Sequence, residues 1–307
     1  TLKKEKIIKI VIIALVILLV IGFIIWRNIE RNRSKAEEYT ASIKIVTSFY
    51  PMYIIAENIT DGASNIELVN MADVNVGCLH DYTLTTEDMK KVEDADVFIT
   101  NGLGMENFLE KVINANANMK IIDSSKNIEN TISHKEETNA HIWTNTEKYI
   151  QQIQNIKDGL QEADSANREV YEANANQYIQ EIENLKEEYA EKLQALEGRK
   201  AINLNEAFEY LGQELGMEMT TIETDHEEST LSAEMLRTII DNMKEQDIEM
   251  IIVAKEDNKT NAETIANETG AKIYELNSGL TGELEKEAYL TAMEGNWKIL
   301  LDEEVEN

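Results

Sequence analysis

His80 stands in "CLHDYTLTTEDMKK" and His141 in "NAHIWTN", and they are two of only four histidines in a chain of 307 residues. The other two are His134, in "SHKEET", and His226, in "TDHEEST". Cys78, the single cysteine, precedes His80 by two positions. Neutral imidazole and thiolate are ligands for zinc and related divalent ions, so these residues mark the chemistry this chain can offer. In an extended loop the side chains of Cys78 and His80 project to the same side. Each has an ordinary alternative: a histidine can satisfy a local hydrogen bond, and a small cysteine can simply pack. One cysteine permits neither an intramolecular disulfide nor a zinc ribbon.

The same residues offer little to catalysis. The chain has no Gly-x-Ser-x-Gly elbow, phosphate loop or His-Glu-x-x-His helix, and Cys78 beside His80 comes with no oxyanion donor. It is therefore expected not to be an enzyme. A formal charge of −29 excludes nucleic acid as a partner, since a phosphate backbone needs a basic counter-surface. Anionic membrane surfaces are excluded as partners of the soluble part for the same reason. The acidity also concentrates cations around the protein.

These ligands must be positioned by the surrounding elements. "SIKIVTSF", "NIELVNM", "DVFITNG" and "MKIIDSS" read as strands, alternating with helices in "YPMYIIAENIT", "TTEDMKKVEDA" and "GMENFLEKVINAN". The pattern changes from Thr144 to about Gly198, where apolar residues recur at helical spacing. Tyr171, Tyr178, Ile182, Leu185, Tyr189 and Leu193 form one stripe, predicting a long helix packed across two lobes. Alternation then resumes with strands in "KAINLN", "MEMTTIET", "IEMIIVAK" and "AKIYEL". The fold class is therefore α/β: two lobes with mixed or parallel sheets, over 42–143 and 199–307, joined by a long helical region over 144–198. In such sheets ligands bind at the carboxyl ends of the strands, which here also means between the lobes.

Ahead of the lobes, residues 1–27 read as a transmembrane signal-anchor and 28–41 as a tether. Ile10 to Trp26 is an uninterrupted apolar run, preceded by Lys3, Lys4, Lys6 and Lys9 and closed by Arg27. "RNIERNRSKAEEY" offers no small-x-small cleavage site, and no lipobox cysteine follows the run. A single-pass protein of the cell membrane, with its soluble part outside the cytoplasm, is the expectation.

After residue 42 nearly the whole chain resembles the zinc and manganese class of solute-binding receptors of ABC transporters. The blocks that carry the resemblance are "VTSFYPMYIIAENI", "HDYTLTTEDMKKVEDADVFITNGLGMENFLEKV", "HIWTN", "EAFEYLGQELG" and "AETIANETGAKIYEL", in that order. It implies a metal held at the lobe interface, with His80 and His141 as its first two ligands. Here the chain departs from the pattern. The third position, usually His or Glu, is Asn205, with Glu206 next to it. The fourth, usually Asp or Glu, falls at Asn277 or Ser278. Amide oxygens are weak ligands for transition metals, so the resemblance implies a weakened site. Cys78, His226 and Glu206 are candidate substitutes, although adjacent helical residues point about 100° apart, which counts against Glu206. His134 is expected on a solvated loop.

Two functions follow as expectations. The first is a membrane-anchored, monomeric receptor that binds Zn2+, or Mn2+, weakly and delivers it to an ABC permease. The second is a receptor fold that has lost its metal and serves as a surface interaction, adhesion or sensory module.

Overall fold

Short apolar runs bounded by turn residues pair in parallel in the first half: β1 (Ile43–Thr47), β2 (Ile66–Asn70), β3 (Val97–Thr100) and β4 (Lys120–Asp123), in the order β2-β1-β3-β4. In this computed structural model, residues 22–24, 26, 27, 42–79, 82–134, 137–222 and 231–303 are described. The register sets Ile45 beside Leu68 on one side and Val97 on the other. Every residue of β3 is buried, as a strand covered on both faces must be. The crossovers are α1 (Tyr50–Thr60), α2 (Thr86–Glu93) and α3 (Leu109–Ala115). Pro51 sits in the first turn of α1, where its missing N–H costs nothing. Thr85 caps α2 in a reciprocal box with Asp88, whose carboxylate accepts the Thr85 N–H at 2.8 Å.

A small hairpin of β5 (Ser133–His134) and β6 (Glu137–Thr138) leads into a 3-10 turn, Ile142–Thr144. The following region holds two helices rather than one: α4 (Thr146–Ala163) and α5 (Arg168–Leu193). Asp164 separates them. Its buried carboxylate accepts from Asn167 Nδ2 at 2.6 Å and from the Tyr171 hydroxyl at 2.7 Å, so it anchors the start of the second helix. Helix α5 has 26 residues, about 39 Å at 1.5 Å each. Its buried stripe contains Tyr171, Tyr178, Ile182 and Tyr189, as the spacing predicts. The helix crosses both halves. Asn174 Nδ2 donates to Ile59 O of α1 at 2.9 Å, while the Tyr189 ring lies 5.6 Å from that of Trp297 near the C-terminus.

The second sheet contains β7 (Lys200–Asn203), β8 (Glu218–Thr221), β9 (Met250–Ala254) and β10 (Lys272–Leu276), again all parallel, in the order β10-β9-β7-β8. It carries α6 (Glu209–Glu214), α7 (Ala233–Gln246), α8 (Thr260–Thr269) and α9 (Ala288–Leu300). In each sheet the strand order reverses beside the first strand, between β1 and β3 and between β7 and β9. Loops at those switch points open a crevice at the carboxyl ends.

Aromatic residues join the halves. The Tyr149 ring stacks on Tyr289 at 3.5 Å, and the Tyr149 and Tyr178 hydroxyls are 3.0 Å apart. Tyr50 OH donates to Glu283 O at 2.8 Å, and Trp143 Nε1 to Ser278 O at 2.9 Å. Residues 43–307 form one compact unit. Most of the expected membrane span lies outside the described residues. Among the described residues, no helix is long and apolar enough to cross a membrane.

Candidate metal centre

His141 caps the 3-10 turn at the end of the hairpin loop and is buried, with 3% of its surface exposed. Its loop is held on both flanks. Asn101, just past β3, donates from Nδ2 to Ala140 O at 2.9 Å, and the Thr144 hydroxyl reaches Ala207 O in the second half at 2.7 Å. Asn101 is itself braced by Gln152 Nε2 at 2.9 Å.

Asn139 decides the imidazole's protonation. Its Nδ2 faces two acceptors, Glu206 O at 2.9 Å and Glu209 Oε2 at 2.7 Å, so its Oδ1 must be the atom turned toward His141. That oxygen accepts the His141 backbone N–H and lies 2.9 Å from Nδ1. Nδ1 therefore carries the proton, and Nε2 is the unprotonated nitrogen. Nε2 points at Cys78 Sγ, 3.7 Å away. Met105 Sδ lies 3.8 Å from the same sulfur. The His141 ring is also tilted against Trp143 at 5.1 Å.

His80 and His226 fall outside the described residues. Asn205 and Asn277 are both described, and both amide oxygens accept backbone N–H groups. Asn205 Oδ1 takes Ala207 N–H at 2.9 Å, and its Nδ2 donates to Asp257 Oδ2 at 2.8 Å. Asn277 Oδ1 takes Gly279 N–H at 2.8 Å. Asn277 lines a small pocket with Trp143, Tyr149 and Tyr289. Gly279 has φ +70°, and a Cβ there would come within 3.3 Å of the Trp143 indole nitrogen, so only glycine fits this turn easily. The Ser278 hydroxyl bonds to Glu256. Glu206 Oε1 lies 3.8 Å from His141 Nδ1, on the protonated edge of the ring rather than the ligating one. Among the described residues, no group of three His, Cys, Asp or Glu side chains encloses a metal-sized space.

The expectation for His134 needs correcting. Its Nε2 is 2.7 Å from Glu209 Oε2, so this half-exposed side chain is tied to a buried carboxylate of the second half rather than left to solvent alone. A polar chain results: His134, Glu209, Asn139, His141. The Asx turn at "NAH" is a local signal that was available for Asn139. Nothing local points to Glu209, whose partner His134 is 75 positions away.

Beneath the loop, Glu106 is fully buried and its carboxyl is pushed up to about 7, chiefly by burial. Hydrogen bonds from the Asn101 and Gly102 N–H groups and the Ser48 hydroxyl, at 2.8, 3.1 and 2.7 Å, partly offset that cost.

The family described as zinc-uptake complex component A, periplasmic (ZnuA), matches residues 45–302. The chain belongs to this family. It is 26% identical over 287 residues to the zinc-binding lipoprotein AdcA of Streptococcus pneumoniae, covering 87% of this chain and 57% of that protein. It is 27% identical over 264 residues to the manganese-binding lipoprotein MntA of Halalkalibacterium halodurans, covering 83% and 86% respectively. The chain thus spans little more than half the length of its streptococcal relative. Among solved structures it is similar to ZnuA itself, with a TM-score of 0.74 and 27% identity over 85% of this chain and 99% of that one. The Pseudomonas aeruginosa binding protein FpvC, solved with Ni2+, gives a TM-score of 0.76 and 25% identity over 85% and 96%. The two parallel sheets and the long α5 are therefore this family's architecture.

Proposed function

We propose that the chain is an extracytoplasmic receptor that binds a divalent transition metal, zinc in preference to manganese, and hands it to an ABC permease. His141 carries the reading: a buried imidazole with its Nε2 lone pair directed to the loops that meet between the halves. His80 and His141 hold the ion in this reading. Asn205 and Asn277 are weak or water-mediated partners, since each capping oxygen keeps a second lone pair. The receptor works as a monomer, tethered by Ile10 to Trp26 with residues 42–307 outside the cytoplasm, and has no catalytic role. Relatives named as zinc-binding and manganese-binding lipoproteins support the ligand class.

Calorimetric titration with zinc and manganese of the parent, His80→Ala and His141→Ala tests this. Zinc binding at one ion per chain, lost in both variants, is the expected result. Equal heats for all three would sink the proposal. The second reading, a surface interaction module, would then take its place, favoured by two asparagines whose oxygens already serve as backbone caps.

A further inference from the structure

We infer that Glu209 is a positioning residue: from the second half it fixes, through Asn139, which ring nitrogen of His141 carries the proton, so that bringing the halves together prepares this imidazole for a metal. The use made of it rests on the receptor reading above. The placement of the proton does not.

Asn139 belongs to the first half but is bonded mostly to the second. It follows the β5–β6 hairpin, and its Nδ2 donates to Glu206 O at 2.9 Å and to Glu209 Oε2 at 2.7 Å. Its backbone carbonyl accepts the Tyr210 hydroxyl at 2.8 Å. That hydroxyl also takes the Ile132 N–H at 2.9 Å, so one side chain of the second half closes both ends of the hairpin. Glu209 opens α6, directly after the 3-10 turn Glu206–Phe208 that Asn205 caps. Its buried carboxylate is steadied by His134 Nε2, 2.9 Å from Oε1 and 2.7 Å from Oε2.

These bonds decide which way the amide faces. Turning it over would aim Oδ1 at a carbonyl and a buried carboxylate, and would set Nδ2 against the His141 backbone N–H. A bond to a charged acceptor shifts such an equilibrium roughly ten- to a hundredfold, against about fivefold for a neutral one. The Glu209 bond is therefore the strongest hold on the amide. Glu206 Oε1, 3.8 Å from His141 Nδ1, also favours a proton on that nitrogen. Glu206 and Glu209 both lie in the second half. What the first half contributes is the neutral Asx-turn bond from His141 N–H to Oδ1 at 2.9 Å. Parting the halves frees the amide, and the proton can leave Nδ1 for solvent while another joins Nε2, with no net change in charge. A ring protonated on Nε2 no longer offers that nitrogen to an ion. Opening and loss of the donor become one event, which suits a receptor that must give up its ion.

Nitrogen-15 NMR of the histidine-labelled full chain in detergent tests the placement directly, with metal removed by a chelator at about pH 8, above the usual histidine range. His141→Ala assigns the signals. The parent should show Nδ1 protonated and Nε2 not, and the reverse overturns the proposal. Glu209→Leu removes the acceptor, so the two nitrogen signals should converge as the other tautomer rises at least about tenfold. Glu209→Gln still offers an oxygen to Asn139 and should keep the parent's pattern. Zinc affinity measured by calorimetry should follow, falling about tenfold in Glu209→Leu and staying within a few fold of the parent in Glu209→Gln. Unmoved signals in Glu209→Leu overturn the role of Glu209, and so do equal shifts in both variants. Glu209→Ala, read in the same way, replaces Glu209→Leu if that chain does not fold. A parent that shows the expected nitrogens but binds no zinc sinks the receptor reading and leaves the placement of the proton standing.

Discussion

A buried imidazole can act as a ligand only if one ring nitrogen keeps its lone pair, and at His141 an amide two residues away decides which. Asn139→Ala removes the acceptor at 2.9 Å from Nδ1 and leaves the ring free to change tautomer. Outer partners of metal ligands typically contribute 10–100-fold to affinity, so zinc binding by this variant should fall by about that factor. Calorimetry against the parent measures it. Unchanged affinity would mean that Asn139 serves the loop alone. Glu106 makes a second prediction at this scale. Its carboxyl is held at about 7 in the fold, against an ordinary value of 4.5. Between those values the native state keeps a proton that the unfolded chain has lost, so stability is fully present below about 4.5 and falls as pH rises to about 7. The total loss is at most about 3 kcal/mol. Urea midpoints of Glu106→Gln and the parent from pH 4 to 8 should show a flatter slope in the variant across that window. Parallel curves would refute this role. These residues also show what a sequence conceals. His141 stood out as a candidate because of its motif, and Asn139 was within reach through its Asx turn. The partnership of His134 with Glu209 joins positions 75 apart, and only the folded chain brings them together.

Elements were read more reliably than side-chain partners, for a physical reason. A parallel strand covered on both faces must be a short, β-branched apolar run, so "VFIT" and "MIIVA" declare themselves locally. The tyrosine stripe of α5 was equally plain, because helical spacing is a local property. The break before it was less so. "QEADSANRE" contains no glycine or proline, and what interrupts the helix is the buried Asp164 bonding forward to Asn167 and Tyr171. Asp164→Ala should therefore destabilise the protein by about 1–3 kcal/mol, the cost of a lost cap plus a buried phenol deprived of its acceptor. Chemical denaturation measures the loss. Far-ultraviolet circular dichroism should keep its intensity, because both helices retain their own apolar faces. A variant as stable as the parent would mean that the break is set by backbone geometry alone.

In the whole molecule, two sheets of the same parallel plan are joined where the turn around Trp143 meets loops of the second half, and α5 packs on α1 of the first half and α9 of the second. The contacts between them include Tyr149 on Tyr289, Trp143 to Ser278 O and the polar chain through Glu209, so the loops around His141 are held by contacts made within the protein itself. A metal bound there adds its free energy to that of the fold, provided the unfolded chain holds it weakly. Zinc at a hundred times its dissociation constant should then stabilise the parent by about 2.7 kcal/mol, and by about 4.1 kcal/mol at a thousand times. The rise should follow the logarithm of zinc concentration in urea midpoints. His141→Ala should show no such rise, since it removes the oriented nitrogen. Asn139→Ala should show it displaced to higher zinc, because that variant keeps the ligand and loses only its orientation. A zinc dependence shared equally by all three proteins would place the ion elsewhere on this acidic surface, away from the loops where the halves meet.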